Sequence, residues 1–195
     1  LITLNRLAKL LRQKRFANGS IAFDRPEVRF EIDEKGHPVS TYVKIEEDAN
    51  KLVEEFMLLA NKSVAESVGI VPKGKKAKVL PYRIHDVPEQ TKLENLRAFI
   101  SRFGYKLKTE GSKGDVGRSI NRLLYDARGK KEQQLIETVT LRAMQKARYS
   151  VHNIGHYGLM FKYYTHFTSP IRRYPDTMVH RLLTRYAEGG RSASA

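Results

Sequence analysis

Residues 152–176 hold the densest set of side chains able to do chemistry. They include His152, His156 and His166, the rings of Tyr157, Phe161, Tyr163, Tyr164 and Phe167, and the pair Arg172-Arg173. Tyrosine and phenylalanine offer faces on which bases stack, and an arginine fork matches a phosphate. Thr168-Ser169-Pro170-Ile171-Arg172-Arg173 runs into an apolar helical pattern of Met178, Val179, Leu182, Leu183 and Tyr186. The spacing predicts a last helix starting at Ser169-Pro170, with proline at the first helical position. Free N–H groups at such an end attract anions. An arginine there would hold a phosphate and stabilise charge developing on a phosphoryl group under attack. The same residues also read as a tyrosine-rich core beside a capped helix with solvated arginines, and spacing alone leaves both readings open. The three histidines have no HExxH or comparable carboxylate spacing beside them, so they are expected to be structural rather than metal ligands.

The elements that must position this segment are helix-rich. Leu4, Leu7 and Leu11 share one face of a first helix over about 2–16, stopped by Gly19. Ile21–Phe23 reads as a short strand, Asp24-Arg25-Pro26 as a turn, and the alternation of Val28, Phe30 and Ile32 as a half-buried strand. Glu34–Pro38 is the hairpin turn and Thr41–Ile45 the returning strand. Glu46-Glu47-Asp48 opens a long helix with acids at its positive end. Its expected stripe is Val53, Phe56, Met57, Ala60 and Val64, and Gly69 ends it. After the basic loop 73–78, Val79–Ile84 reads as a strand. Pro88 begins a helix carrying Leu93, Leu96, Ile100 and Phe103. Asp115 caps a helix through Ile120, Leu123 and Leu124. Gln133–Arg148 continues with Ile136, Val139, Ala143 and Ala147, and Gly158–Tyr164 is strand-like. The fold class expected is α+β, helix-rich, with a small antiparallel sheet.

The 195 residues carry 36 Lys+Arg against 21 Asp+Glu, a formal net charge of +15. Such a surplus predicts a polyanionic partner, nucleic acid above all, because Lys and Arg gain from releasing condensed counterions. An acidic protein surface or an anionic membrane are the other classes. The absence of cysteine excludes disulfide scaffolds, Cys-ligated zinc and thiol catalysis. No apolar run approaches the ~20 residues of a membrane-spanning helix. The chain opens at Leu1 inside a helical pattern and closes on Glu188–Ala195, which has little to bury. Both ends read as cut from something longer.

Four blocks, in order, carry a resemblance to a known family. His156-Tyr157-Gly158-Leu159 is followed by Tyr164-Thr165-His166-Phe167-Thr168-Ser169-Pro170-Ile171-Arg172-Arg173-Tyr174-Pro175-Asp176 and by His180-Arg181-Leu182-Leu183. Upstream stand Tyr82–Pro88, Val53–Asn61 and Phe23–Val28. Together they closely resemble the ribonuclease II / ribonuclease R family, and residues 1–195 look like the back half of its catalytic (RNB) domain. The flanking OB-type barrels of that family have no counterpart here.

The resemblance implies a cytoplasmic enzyme that degrades single-stranded RNA processively from the 3′ end, releasing nucleoside 5′-monophosphates by two-metal hydrolysis with Mg²⁺. It implies that Arg172 holds the scissile phosphate and that Glu55 contacts the 3′-terminal nucleotide. His85, Tyr164, His166, Thr168, Ser169 and Arg173 are placed along the RNA channel. The family takes its metal ligands from a tight cluster of aspartates. Here the aspartates stand at 24, 33, 48, 86, 115, 126 and 176, far apart in sequence. The chain by itself is therefore expected to be inactive and to hold no metal. Neither a membrane nor a small-molecule cofactor is expected as a partner. Apolar faces left without their partner strands predict self-association. The rival reading is a non-catalytic basic RNA-binding module.

Overall fold

The computed structural model describes residues 1–23, 27–44 and 47–194, with no account of the Glu27 side chain. Asp24-Arg25-Pro26, Ile45 and Glu46, which belong to an expected turn, strand end and helix start, lie outside the described residues. The elements run α1 (Ile2–Ala17), β1 (Glu27–Ile32), β2 (Pro38–Lys44), α2 (Asp48–Gly69), β3 (Tyr82–Ile84), α3 (Gln90–Ser101), α4 (Lys113–Ala127), α5 (Gln133–Ala143), β4 (Arg148–Ser150) and α6 (Tyr174–Ala187). The class is α+β, as the patterning predicts, but the strands form two separate antiparallel pairs, β1-β2 and β3-β4.

Two cores result. One gathers Leu93, Leu96 and Ile100 of α3, Ile120, Leu123 and Leu124 of α4, and Ile136 of α5. These helices were legible because their apolar residues recur every three or four positions. The second core joins Ala65 of α2, Leu80, Tyr82 and Ile84, and Val179 of α6, with Phe167 and Leu183 against it. This core carries the segment 152–176.

Several expectations are corrected. Ile21–Phe23 is extended but unpaired with any strand: the N–H of Ile21 donates to Gly158 O (2.9 Å) and that of Ala22 to Asn121 Oδ1 (3.3 Å). Val28, Phe30 and Ile32 do form a strand, yet they are exposed, Phe30 by 61%. Leu4 and Leu7 are likewise exposed, and α1 instead buries Ala8 and Arg15. On α2 the buried positions are Glu55, Asn61 and Ala65, while Val53 of the expected stripe faces water. Only Tyr82–Ile84 of the segment 79–84 pairs as a strand. Phe103 follows the end of α3 and is exposed. The cap of α4 is Ser112, whose Oγ accepts from Asp115 N (3.2 Å); Asp115 returns the bond from Ser112 N (3.1 Å). That reciprocal box satisfies two helix-end donors at once. Helix α5 stops at Ala143, and Arg148 already belongs to β4. Residues 157–159 form a 3-10 turn, not a strand. Helix α6 starts at Tyr174, not Ser169, so the proline of its first turn is Pro175.

Candidate nucleic-acid interface

Helix α2 anchors the site from below. Asn61 is buried, and its Oδ1 accepts from the N–H groups of Phe167 (2.9 Å) and Thr168 (3.2 Å) while its Nδ2 donates to Tyr164 Oη (3.3 Å). One amide thus ties three residues of an irregular segment whose backbone donors would otherwise be orphaned. From the other side, Thr165 Oγ1 donates to Pro81 O (2.6 Å) and Arg83 N to Tyr164 O (2.9 Å).

On this frame lies a chain of rings. His85 meets His156 at 5.0 Å, His156 meets Tyr164 at 5.3 Å, Tyr164 meets His166 at 5.7 Å and His166 meets Tyr149 at 5.6 Å, all edge to face. Arg83 covers the Tyr149 ring at 4.8 Å. Edge-to-face contact is the favoured arrangement for such quadrupoles. Burial pushes the His156 imidazole down to about 3, helped by the nearby His85 and Arg83. Burial likewise takes His166 down to about 4, helped by Arg173, Arg83 and Arg172 against the opposing pull of Asp176. Both rings are neutral at pH 7, so they act as stacking and hydrogen-bonding surfaces rather than as cations. Tyr149 Oη lies 2.6 Å from His166 Nδ1.

His85 is held at both nitrogens. Its Nδ1 accepts from Gly158 N (3.0 Å), which assigns the proton to Nε2, 2.8 Å from Gln145 O. A Cβ at Gly158 would meet that ring at 3.0 Å, a contact tight enough that the imidazole would have to shift. In this arrangement His85 braces the 155–159 loop against β3, and its pKa is lowered chiefly by burial.

Arg172 stands exposed on the turn Ser169–Arg173. Ser169 O accepts from the N–H groups of Arg172 (3.3 Å) and Arg173 (3.1 Å), closing the turn. Arg173 is half-buried and donates through Nη2 to Asp176 Oδ1 (2.9 Å). Thr168 Oγ1 is buried with no partner among the described residues. Arg172, Arg173, Ser169, Thr168, His166 and Tyr164 thus share one irregular stretch of chain, with His85 at the far end of the ring chain.

Glu55 reaches the cluster through Arg15. The two side chains are 3% and 6% exposed and directly paired. Arg15 Nη1 also donates to Ser20 Oγ (3.0 Å), which donates to Gly158 O (3.0 Å). Burial raises the Tyr164 phenol, opposed by the hydrogen bond from Asn61 and by the charges of Arg173 and Arg15. Glu55 lines a groove of about 430 Å³ between α1, α2 and residues 160–163, with Lys14, Lys62 and Lys162 among its walls. A groove of about 590 Å³ between α1 and α4 is richer in arginine, but Arg118 and Arg122 there are engaged by Asp115 and Asp126. Sequence reading missed Arg15, Asn61, Arg83, Tyr149 and Asp176 as parts of this site. A polar residue inside the packed face of a helix was the available signal for Arg15 and Asn61.

The fold is thus one of helices around two small antiparallel pairs, with basic and aromatic residues gathered on one core. The family model described as "RNB domain" matches residues 1–189, and the chain belongs to that family. It is 40% identical over 186 residues to Ribonuclease R of Aquifex aeolicus, covering 94% of this chain and 25% of that protein. Among solved structures it is similar to Mycoplasma genitalium RNase R in complex with ribose methylated single-stranded RNA, with a TM-score of 0.81 and 28% identity. That match covers 94% of this chain and 28% of the other. The complex of the same enzyme with double-stranded RNA matches with a TM-score of 0.79 and 27% identity, over 94% of this chain and 32% of that one. The chain thus spans about a quarter of the length of these relatives.

Proposed function

We propose that this chain is the back half of the catalytic domain of a 3′→5′ exoribonuclease, the part that presents the phosphate to be cut. The observation that carries the reading is Arg172, exposed on a turn tied at both ends that follows directly on the ring-bearing segment Tyr164–Phe167. A guanidinium held in this way meets a phosphate without reorganising as charge develops. Bases of a single strand stack on the surface around Tyr164 and His166 with little sequence preference. Glu55, held by Arg15 at the wall of the groove between α1 and α2, faces the terminal nucleotide. The RNA bound in the Mycoplasma genitalium structures supports RNA as the polyanion.

Magnesium is the cofactor that the resemblance implies for the intact enzyme. Among the described residues, no three His, Asp or Glu side chains gather as ligands. Asp48 pairs with Lys9, Asp115 with Arg118 and Asp176 with Arg173. These residues do not fit a metal centre. The ions would be held by other residues of the intact enzyme, and the chain by itself is expected to show no turnover.

Arg172→Ala in the intact enzyme tests the reading. RNA binding is expected to persist, while turnover of oligo(A) falls about 10²–10³-fold, the usual loss for one preorganised donor. Unchanged turnover overturns it.

A further inference from the structure

Asp176 sits in the first turn of α6 and is completely buried. Its Oδ1 accepts from Ser169 N (2.8 Å) and from Arg173 Nη2 (2.9 Å), so one carboxylate grips both ends of the turn that carries Arg172. The next residue adds a third tie, Thr177 Oγ1 donating to Pro170 O (3.0 Å). Between the ties the chain is open to water: Ile171 and Arg172 are both exposed. The hydrogen bonds that place residues 170–172 all run to Ser169 or to the first turn of α6.

This arrangement is poor for stability. Burying a carboxylate is costly unless its oxygens are fully satisfied. Asp176 Oδ2 has no partner among the described residues, and neither has Arg173 Nε. A fold serving stability alone would complete such a network or replace it with hydrocarbon, and local rules are broken chiefly where function requires it.

We infer that Asp176 is a positioning residue, which holds the Ser169–Arg173 turn so that Arg172 stands preorganised for phosphate without itself touching the substrate. The inference rests on the phosphate role proposed for Arg172. Its physical content is that the carboxylate sets the backbone on both sides of one exposed guanidinium, so its loss acts through that guanidinium.

The test is a double-variant cycle in the intact enzyme, with turnover and KM measured on single-stranded oligo(A). Asp176→Asn keeps the shape and an acceptor for Ser169 N–H but removes the charge that holds Arg173. It is expected to lower kcat about tenfold or more with KM within about threefold, the pattern of a lost transition-state contact. Combined with Arg172→Ala it is expected to cost nothing further, because residues acting through one group are not additive. Thr177→Val loosens the turn from a partly buried position, and its loss of kcat, about threefold, is expected to vanish in the Arg172→Ala background as well. Losses that multiply with that of Arg172→Ala overturn the inference, as does wild-type kcat in both single variants. Should Asp176→Asn fail to fold, the Thr177→Val cycle decides alone. A neutral Arg172→Ala arm is read separately and sinks the phosphate reading instead.

Discussion

At the scale of the residue, the buried pair of Arg15 and Glu55 sets the firmest energetic expectation. Removing Arg15 leaves the buried Glu55 carboxylate with only the longer contact to Arg12 (3.8 Å), and breaking such a buried pair costs about 3–5 kcal/mol. Arg15→Ala is therefore expected to lower the unfolding free energy in urea by about that amount, while Arg15→Met with Glu55→Leu recovers most of it. A loss of less than about 1 kcal/mol in Arg15→Ala, the level of an exposed ion pair, would show that the pair is open to water. Protonation gives a second expectation. His156 is pushed down to about 3 and His166 to about 4 from an ordinary value of 6.5. Each ring stays neutral in the fold but takes a proton in the unfolded chain at mildly acid pH. Their contribution to stability is therefore complete above pH 6.5 and is lost as pH falls from there toward the folded values. Urea titrations between about pH 7.5 and 4.5 are expected to lose stability on acidification, with a shallower slope in His156→Gln. An equal slope in that variant contradicts the assignment.

At the scale of the element, the β1–β2 hairpin departs most from what its pattern suggests. Alternation of Val28, Phe30 and Ile32 against Arg29 and Glu31 is the mark of a strand with one face on a core. The register Val28↔Val43 and Phe30↔Thr41 places these apolar residues on one face, yet that face is exposed. Phe30→Ser with Val43→Thr is accordingly expected to shift the unfolding midpoint of the helices by no more than a surface change, about 0.5 kcal/mol. The same variant is expected to reduce self-association in sedimentation velocity, because the face it breaks is an open apolar strand surface. A large destabilisation would mean the hairpin packs on the helices after all. The helices behaved differently. The central apolar positions of α3, α4 and α5 were legible, since they meet one another within about 50 residues of chain. Their ends were less so: Ser112, not Asp115, caps α4, because either residue type can accept the first free N–H.

At the scale of the whole molecule, the two cores divide the labour. The helical core of α3–α5 is apolar and contributes none of the predicted site residues. The core of α2, β3 and α6 bears the ring chain, the Arg172 turn and the Arg15–Glu55 pair. The surplus of +15 is carried by a chain that spans about a quarter of its ribonuclease R relatives. Charge alone indicated a polyanion, and the four ordered blocks narrowed it to the RNB family, which the match over residues 1–189 establishes. The sequence could not say how Glu55 is held, because Arg15 lies forty positions away on another helix.

The amino-acid sequence by itself determined the helix-rich α+β class and the family, and it made residues 152–176 the expected seat of the chemistry, since composition, periodicity and motif order are local quantities. Tertiary structure alone decided that His85 spends both ring nitrogens on loop 155–159 and β4's neighbour Gln145. It also decided that Asn61 and Asp176 hold the Arg172 segment. Those partners are separated by up to about a hundred residues along the chain, and a hydrogen bond depends on distance in space, which no spacing in sequence encodes.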